Sequence, residues 1–163
     1  MHYGNLILIY PEYVLKIYLN PKQEMKKGFL RQTMFLNEIN FLKNCKNKYI
    51  IDLYYVDPDN RFIIIEKGDY TLKQALDRNL ISIKQTIKFI NKIRDEFEKL
   101  EIIHRDLSWH NIVYFIKTNT LKVIDFEIAS YLKSDLKYIY VKHRTKKDNF
   151  QRLKKYIYTL DKK

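Results

Sequence analysis

The chain contains a single cysteine, Cys45, among its 163 residues. One thiol cannot close an intramolecular disulfide or form a cysteine-based metal site, so we interpret Cys45 as a helix-packing thiol. No apolar run reaches the roughly 18 residues that a membrane-spanning helix needs. The opening MHYGNLILIYPEY lacks a basic segment followed by a long apolar stretch, so no secretory signal is indicated and we expect a cytoplasmic protein.

The charge of the chain is strongly one-sided. Lys and Arg number 31 against 19 Asp and Glu, which gives a formal net charge of +12. Such a surface favours anionic partners, including nucleotides, phosphorylated glycolipids, acidic membrane surfaces and nucleic acids. Hydrophobic residues make up 46% of the chain, which supports a packed core and argues against wholesale disorder.

The first third of the chain reads as strands and one helix. The predicted elements are a hairpin of Leu6–Tyr10 and Tyr13–Tyr18, a loop over Asn20–Lys27, a helix over Phe29–Asn44 with Phe35, Ile39 and Leu42 on one face, and a strand pair of Tyr49–Val56 and Arg61–Glu66 joined by a turn at 57–60. We place a boundary at Lys67-Gly68-Asp69, a polar break with one of only three glycines.

The rest of the chain begins with helices. The predicted elements are a short helix over Thr71–Arg78, a helix over Ser82–Leu100 capped by Ser82 with Ile83, Ile87, Ile90, Phe97 and Leu100 as its apolar stripe, strands at Ile112–Phe115 and Leu121–Ile124, and an amphipathic helix over Lys146–Leu160 with Phe150, Leu153, Ile157 and Leu160 inward.

The most informative segment is Ile103–Asn111, with the sequence IHRDLSWHN. Asn111 follows Asp106 by five residues, and Asp125 comes after a predicted short hairpin in the sequence IDFE. Magnesium prefers hard oxygen ligands and keeps several waters, so one amide and one carboxylate plus substrate phosphates suffice. A further carboxylate can orient a hydroxyl nucleophile and take its proton. The alternative is a turn in which Asp106 and Asn111 only cap the backbone.

This pattern resembles the protein-kinase superfamily, whose catalytic loop H-R-D-x-x-x-x-N is followed by D-F-G. The match here is HRDLSWHN followed by DFE, and the resemblance continues in order over nearly the whole chain. Tyr13–Lys16 resembles the strand that carries the phosphate-binding lysine. Glu38 stands in the place of the αC glutamate, and Ile63–Gly68 resembles the strand that leads into the adenine-binding hinge.

The resemblance implies an α+β fold with two lobes in a single domain. The expected lobes are a small β-rich N-lobe over residues 1–67 with one αC helix, and a truncated, mainly helical C-lobe over residues 68–163. It also implies ATP and Mg²⁺ as cofactors. The implied roles are adenine contact for Val14, Glu66, Lys67 and Gly68, phosphate contact for Lys16 held by Glu38, magnesium binding for Asn111 and Asp125, and orientation of the acceptor hydroxyl for Asp106.

Two of these assignments have a physical check. Val14 and Lys16 share one face of a strand, because side chains alternate. Glu38 lies between Phe35 and Leu42 on an apolar helix face, where an acid needs a partner, and Lys16 is the candidate. The alternatives are a snorkelling strand lysine and a surface acid.

Three further residues of Ile103–Asn111, which we call the HRD segment, receive roles by the same resemblance. His104 is expected to pack against Phe126 and not to act as a base. Arg105 either binds the activation segment or is a surface cation. We interpret Trp109 as a packing residue.

The chain departs from the family pattern in several places. Only Gly4 precedes the lysine strand, so the glycine-rich loop is nearly absent and fewer backbone N–H groups are expected over the phosphates. Glu127 replaces the glycine of D-F-G, which makes the flipping of regulated kinases doubtful. No A-P-E motif follows Asp125, so the large subdomain that docks peptides is not expected. Ser108 stands where Ser/Thr kinases carry a lysine.

The shortened plan resembles the RIO-like kinases and the Kdo and heptose kinases of the lipopolysaccharide core. The latter place His before the catalytic-loop Asn, as in Trp109-His110-Asn111, and often end in a basic helix like that at 149–155. The implied acceptor is an anionic glycolipid sugar or a protein Ser/Thr, with possible peripheral contact at the cytoplasmic membrane face. The competing hypotheses are a non-catalytic kinase-like binding module and, ranked last, a basic nucleic-acid-binding protein.

Overall fold

The computed structural model describes residues 5–19, 25–131 and 146–160. The chain divides into two compact units, Met1–Lys67 and Gly68–Lys163. The elements of the first unit are β1 (Leu6–Ile9), β2 (Tyr13–Ile17), α1 (Met25–Asn44), β3 (Leu53–Asp57) and β4 (Phe62–Glu66). Those of the second are β5 (Tyr70–Thr71), α2 (Leu72–Asp77), α3 (Ile83–Lys99), β6 (Ile102–Ile103), β7 (Ile112–Phe115), β8 (Thr120–Val123), β9 (Ser130–Tyr131) and α4 (Lys146–Leu160).

The first unit contains one antiparallel sheet with the strand order β1-β2-β4-β3. Lys16 of β2 pairs with Ile63 of β4, and Val14 pairs with Ile65. Directly opposed residues of an antiparallel pair lie on the same face. Ile63 and Ile65 are buried, so Lys16 points from the same face as two core side chains.

Helix α1 packs on this face and begins earlier than the sequence indicates. Phe35, Ile39 and Leu42 are buried, as predicted. The helix starts at Met25 instead of Phe29, so the predicted loop over Asn20–Lys27 is wrong for residues 25–27. Met and Lys are good helix formers, which explains the extra turn. Residues 20–24 of that loop lie outside the described residues.

The strand predicted over Tyr49–Val56 begins only at Leu53. Asn47 holds the preceding residues in a turn, because its side-chain oxygen accepts from Tyr49 N at 2.9 Å and its carbonyl accepts from Ile50 N at 2.9 Å. Tyr49, Ile50 and Ile51 are nevertheless buried as packed coil, although residues of these types favour strand.

The turn predicted at 57–60 is confirmed. Both carboxylate oxygens of Asp57 accept from Asn60 at 2.9 Å, which lowers the pKa of Asp57 below its ordinary value. Arg61 adopts a left-handed φ of 52°, so β4 begins one residue later than predicted.

Both early helices of the second unit start with a capping box. Thr71 accepts from Gln74 N, and Ser82 accepts from Gln85 N, while each glutamine side chain returns to the cap N–H. The predicted Ser82 cap is confirmed. On α3 the buried apolar residues are Ile90, Ile93 and Phe97; Leu100 of the predicted stripe is 38% exposed and was wrongly placed inward.

The last two predicted features of the second unit are also present. Strands β7 and β8 form the expected hairpin, with Ile112 opposite Val123 and Phe115 opposite Thr120. On α4, Phe150, Leu153 and Ile157 are buried, and Phe150 meets Phe97 of α3 edge-on with ring centroids 6.4 Å apart. The side chain of Leu160 lies outside the described residues.

Strands β5, β6 and β9 were not predicted. Each contains only two residues and pairs with a distant segment, so no local pattern marks it. Within the described parts of the chain, no helix is both long and apolar enough to cross a membrane.

Gly68 is the first residue of the second unit and has a steric reason to be glycine. A Cβ atom built there would lie 2.5 Å from Cβ of Val113 and 2.8 Å from its Cγ2. Val113 is a buried residue of β7. Any side chain at position 68 would therefore push against a strand of the β7–β8 hairpin.

We predict that Gly68→Ala destabilises the protein by about 1–3 kcal/mol, because a methyl group must displace a buried strand residue. Urea unfolding followed by circular dichroism measures the effect. Lys117→Ala, in the exposed hairpin turn, is the control and should stay within about 0.5 kcal/mol of the wild type. An unchanged midpoint for Gly68→Ala would show that Val113 moves aside freely.

Candidate active site

The first unit buries an ion pair between β2 and α1. Nζ of Lys16 lies 2.7 Å from Oε2 of Glu38, and the two residues are 6% and 0% exposed. The hydroxyl of Tyr18 donates a hydrogen bond to the same carboxylate oxygen. The partner that the sequence suggests for Glu38 is therefore the one found.

The surroundings of the pair explain its position. Lys16 and Tyr18 are two residues apart in an extended segment, so their side chains lie on the same face. Nζ of Lys16 lies 5.2 Å from the centroid of the Tyr18 ring. That ring packs edge-on against Phe35 of α1 at 4.9 Å, one helical turn before Glu38. Two charges removed from water are tolerated only with good geometry and additional hydrogen bonds, and both conditions hold here.

Three other predicted residues of the first unit lie on β2 and at the end of β4. Val14 is half-buried and shares the sheet face of Lys16. The backbone N–H of Glu66 donates to the carbonyl of Asp52 at 2.9 Å, and its carboxylate accepts from Asp52 N at 3.3 Å. Nζ of Lys67 donates to the carbonyl of Pro11 at 3.2 Å. The backbone of this strand end is thus held firmly in place.

The β1–β2 hairpin, whose second strand carries Lys16, has a turn that contains proline. Tyr10 N donates to the carbonyl of Tyr13 at 2.9 Å, and the two rings stack with centroids 4.7 Å apart. Between them stand Pro11 and Glu12, and proline has no backbone N–H. This turn offers fewer donors to a phosphate than a glycine-rich loop would.

In the second unit, the segment between β6 and β7 joins Asp106 to Asn111. Nδ2 of Asn111 donates to the carbonyl of Asp106 at 2.9 Å and to its carboxylate oxygen Oδ2 at 3.2 Å. Because the amide nitrogen faces Asp106, the amide oxygen is the atom of Asn111 that could bind a metal.

The β7–β8 hairpin brings the residue before Asp125 next to Asn111. Asn111 precedes β7 and Asp125 follows β8, and the N–H of Ile124 donates to the carbonyl of Asn111 at 3.0 Å. Asp125 has a left-handed φ of 68°. Non-glycine residues in this region are uncommon and cluster at functional sites, where the surrounding structure holds them.

His104 has the structural role expected of it. The residue is 3% exposed, and its ring meets Phe126 edge-on with centroids 4.9 Å apart. Nε2 of the ring lies 2.9 Å from the carbonyl oxygen of Ile124. The packing of His104 against Phe126 is confirmed, and it ties the HRD segment to the residues around Asp125.

Arg105 is a partner of the segment that follows Asp125. Its Nε and Nη2 donate to the hydroxyl of buried Ser130 at 3.0 and 2.8 Å, and its φ is 68°. Of the two interpretations left open by the sequence, the structure supports contact with this segment over a solvated surface cation.

Trp109 packs as expected. Its ring stacks on that of Tyr156 of α4, with centroids 3.4 Å apart and planes inclined by 23°. The HRD segment and α4 are therefore in direct contact.

Glu127 was missed as a candidate ligand. One of its carboxylate oxygens lies within 4.8 Å of one from Asp125. The family pattern identifies Glu127 only as the residue that replaces a glycine. Two acids at positions i and i+2 on either side of Phe126 could have indicated a shared metal site. Two carboxylates this close together supply hard oxygen donors of the kind that Mg²⁺ prefers.

The comparison with known families decides the membership of the chain. The pattern of the family described as "Protein kinase domain" matches residues 11–151. This chain belongs to the protein kinase domain family. The mixed helix and strand architecture, with an antiparallel sheet in the first unit, agrees with a small, truncated α+β kinase-like fold.

The individual relatives of this chain are distant. The chain is 30% identical to protein-tyrosine kinase 6 of Mus musculus over 137 residues, and this match covers 78% of the chain and 30% of the relative. Against protein-tyrosine kinase 6 of Homo sapiens the identity is 31% over 128 residues, with coverage of 72% and 27%. The chain thus spans less than a third of the length of either kinase. A shorter match, 32% over 87 residues, is to the sodium ion specific ATP synthase subunit delta of Ilyobacter tartaricus.

We predict that Glu38→Ala lowers the free energy of unfolding by about 3–5 kcal/mol, since it leaves the ammonium of Lys16 buried beside a cavity. Thermal unfolding followed by circular dichroism measures this loss. Gln32→Ala, an exposed position on the same helix, is the matched control and should change stability little. Equal losses in both variants would contradict a special role for the pair.

Proposed function

We propose that this kinase domain transfers the γ-phosphoryl group of ATP to a hydroxyl acceptor, with Mg²⁺ as the metal. The observation that supports this most is the arrangement in the second unit. The amide of Asn111 donates to Asp106, and the hairpin pairs the backbone of Asn111 with Ile124, the residue before Asp125.

The second unit supplies the metal and acceptor groups in this proposal. The amide oxygen of Asn111 and the carboxylate of Asp125 bind Mg²⁺, and Glu127 adds a second carboxylate nearby. A bound magnesium ion would neutralise charge on the phosphates. Asp106 orients the acceptor hydroxyl and takes its proton. Because Asn111 donates to the carboxylate of Asp106, that carboxylate is held in one orientation.

The first unit supplies the groups for the nucleotide. Lys16 contacts the α- and β-phosphates, and its ion pair with Glu38 holds the ammonium group in position. Val14 and the strand end at Glu66 and Lys67 contact the adenine, together with Gly68, which follows Lys67 in the chain. Catalysis of this kind depends on positioning and on charge neutralisation more than on covalent chemistry.

The acceptor class follows from charge and from the catalytic loop. We propose an anionic acceptor, a sugar of the lipopolysaccharide core type or a protein Ser/Thr, reached in the cytoplasm or at the inner membrane face. The net charge of +12 supports an anionic acceptor, and Ser108 in place of the lysine of Ser/Thr kinases favours the sugar. The relatives above are protein-tyrosine kinases by name, and a tyrosine hydroxyl is therefore part of the acceptor panel below.

A second candidate function is a non-catalytic binding module. It is favoured by the turn at Pro11 and Glu12, which offers few donors to phosphate. Binding to nucleic acid ranks third, and it is supported only by net charge and the 14 tyrosines.

We predict that Asp106→Ala and Asp125→Ala each reduce phosphoryl transfer from labelled ATP by about 100-fold or more, since each removes a group that acts on the reacting atoms. Incorporation of label into sugar, Ser/Thr peptide and Tyr peptide acceptors with Mg²⁺ measures this. Asp59→Ala, in an exposed turn, is the control. A chelator should abolish transfer by the wild type.

Equal incorporation in the wild type and both aspartate variants would reject the enzymatic proposal. In that case, the absence of any thermal shift with ATP and Mg²⁺ would favour the binding module, because a ligand that binds the folded state stabilises it.

A further inference from the structure

The second unit contains a cavity of about 500 Å³ between the HRD segment and α4. Its walls include Asp106, Ser108 and Trp109 on one side and Arg152, Lys155 and Tyr156 on the other. Sites for small molecules commonly have volumes of roughly 300–1,000 Å³. A cavity of this size that contains the proposed base is suited to hold the acceptor itself.

The helical period of α4 explains how its cationic residues come to face this cavity. Arg152, Lys155, Tyr156 and Thr159 recur at spacings of three and four residues, so they form one stripe along the helix. The buried residues Phe150, Leu153 and Ile157 form a neighbouring stripe that packs against the rest of the unit, and Leu153, at its border, also lines the cavity. Core packing of one face therefore turns the other toward Asp106.

The charges of the cavity wall indicate what kind of acceptor fits. Arg152 and Lys155 contribute two cations against the one carboxylate of Asp106. Arg and Lys both bind phosphate well, the first as a planar fork and the second as a point charge. The stacked rings of Trp109 and Tyr156 give an apolar stretch of wall, which suits the C–H surface of a sugar or cyclitol ring.

We infer that this cavity is the acceptor site, and that its substrate class is a phosphorylated ring alcohol whose phosphate is held by Arg152 and Lys155. The inference rests on the proposed function. In the reaction, the acceptor oxygen forms a bond to the γ-phosphorus of ATP, and the bond from that phosphorus to the β,γ-bridging oxygen breaks. ADP leaves with the bridging oxygen. The hydroxyl proton passes to the carboxylate of Asp106 and then to water.

The test compares the wild type with Arg152→Glu/Lys155→Glu. Glucose 6-phosphate serves as the soluble probe, and vesicles of phosphatidylcholine containing phosphatidylinositol serve as the lipid-borne one. Glucose and a Ser/Thr/Tyr peptide are also assayed. We expect kcat/KM for a phosphorylated acceptor to fall by about 10-fold or more in the double variant, while ATP hydrolysis with water as acceptor stays within about twofold. Lys84→Glu/Lys88→Glu, an exposed pair on α3, is the matched charge control and should keep transfer.

A second readout does not require turnover. Glucose 6-phosphate should raise the thermal midpoint of the wild type and of the α3 control, and this shift should disappear in the α4 variant.

Transfer to glucose 6-phosphate supports a free acceptor, and transfer only to the vesicles supports a lipid headgroup. Equal activity of both double variants, or transfer to peptide with none to a phosphorylated alcohol, would overturn the inference and leave the proposed kinase activity intact. A wild type that neither hydrolyses ATP nor transfers phosphate would overturn the proposed function, while the thermal shift would still test the cavity.

Discussion

The backbone ladder between β7 and β8 is the constraint on which the second unit depends. It fixes Ile112 opposite Val123, and so the residues just outside each strand, Asn111 and Ile124, must be neighbours. Asp106 is then held through Asn111, and His104 through the carbonyl of Ile124. A short element with ordinary strand residues thus determines the arrangement of polar groups that come from distant parts of the sequence.

The first unit solves a different problem, which is how to keep an ammonium and a carboxylate in a mainly apolar interior. Strand alternation directs Lys16 inward, and one face of α1 directs Glu38 toward it. The hydroxyl of Tyr18 then satisfies part of the remaining demand of the carboxylate. Apolar residues of similar size would often be at least as stable in such a position, so stability alone does not explain the pair.

Much of this was readable from the sequence, and the errors have identifiable causes. The capping serine at 82, the inward faces of α1 and α4 and the packing of His104 against Phe126 follow from local patterns or from the motif. The strand predicted over Tyr49–Val56 was wrong for residues 49–52, because a side-chain turn at Asn47 competes with the ladder. The two-residue strands escaped prediction because each depends on pairing with a distant segment. Gly68 was assigned to adenine contact, and only coordinates reveal that Val113 leaves no room for a side chain.

The hairpin turn at residues 116–119 lies at the end of the ladder remote from Asn111 and Asp125, and its side chains are exposed. The chain's one native thiol, Cys45, is buried. A fluorophore attached through Lys117→Cys would consequently label a single position, with little competing reaction at Cys45. The β7–β8 ladder would join that dye to the end of the hairpin that carries Asn111 and Asp125, which makes the turn a convenient attachment point for spectroscopy on an otherwise unmodified protein.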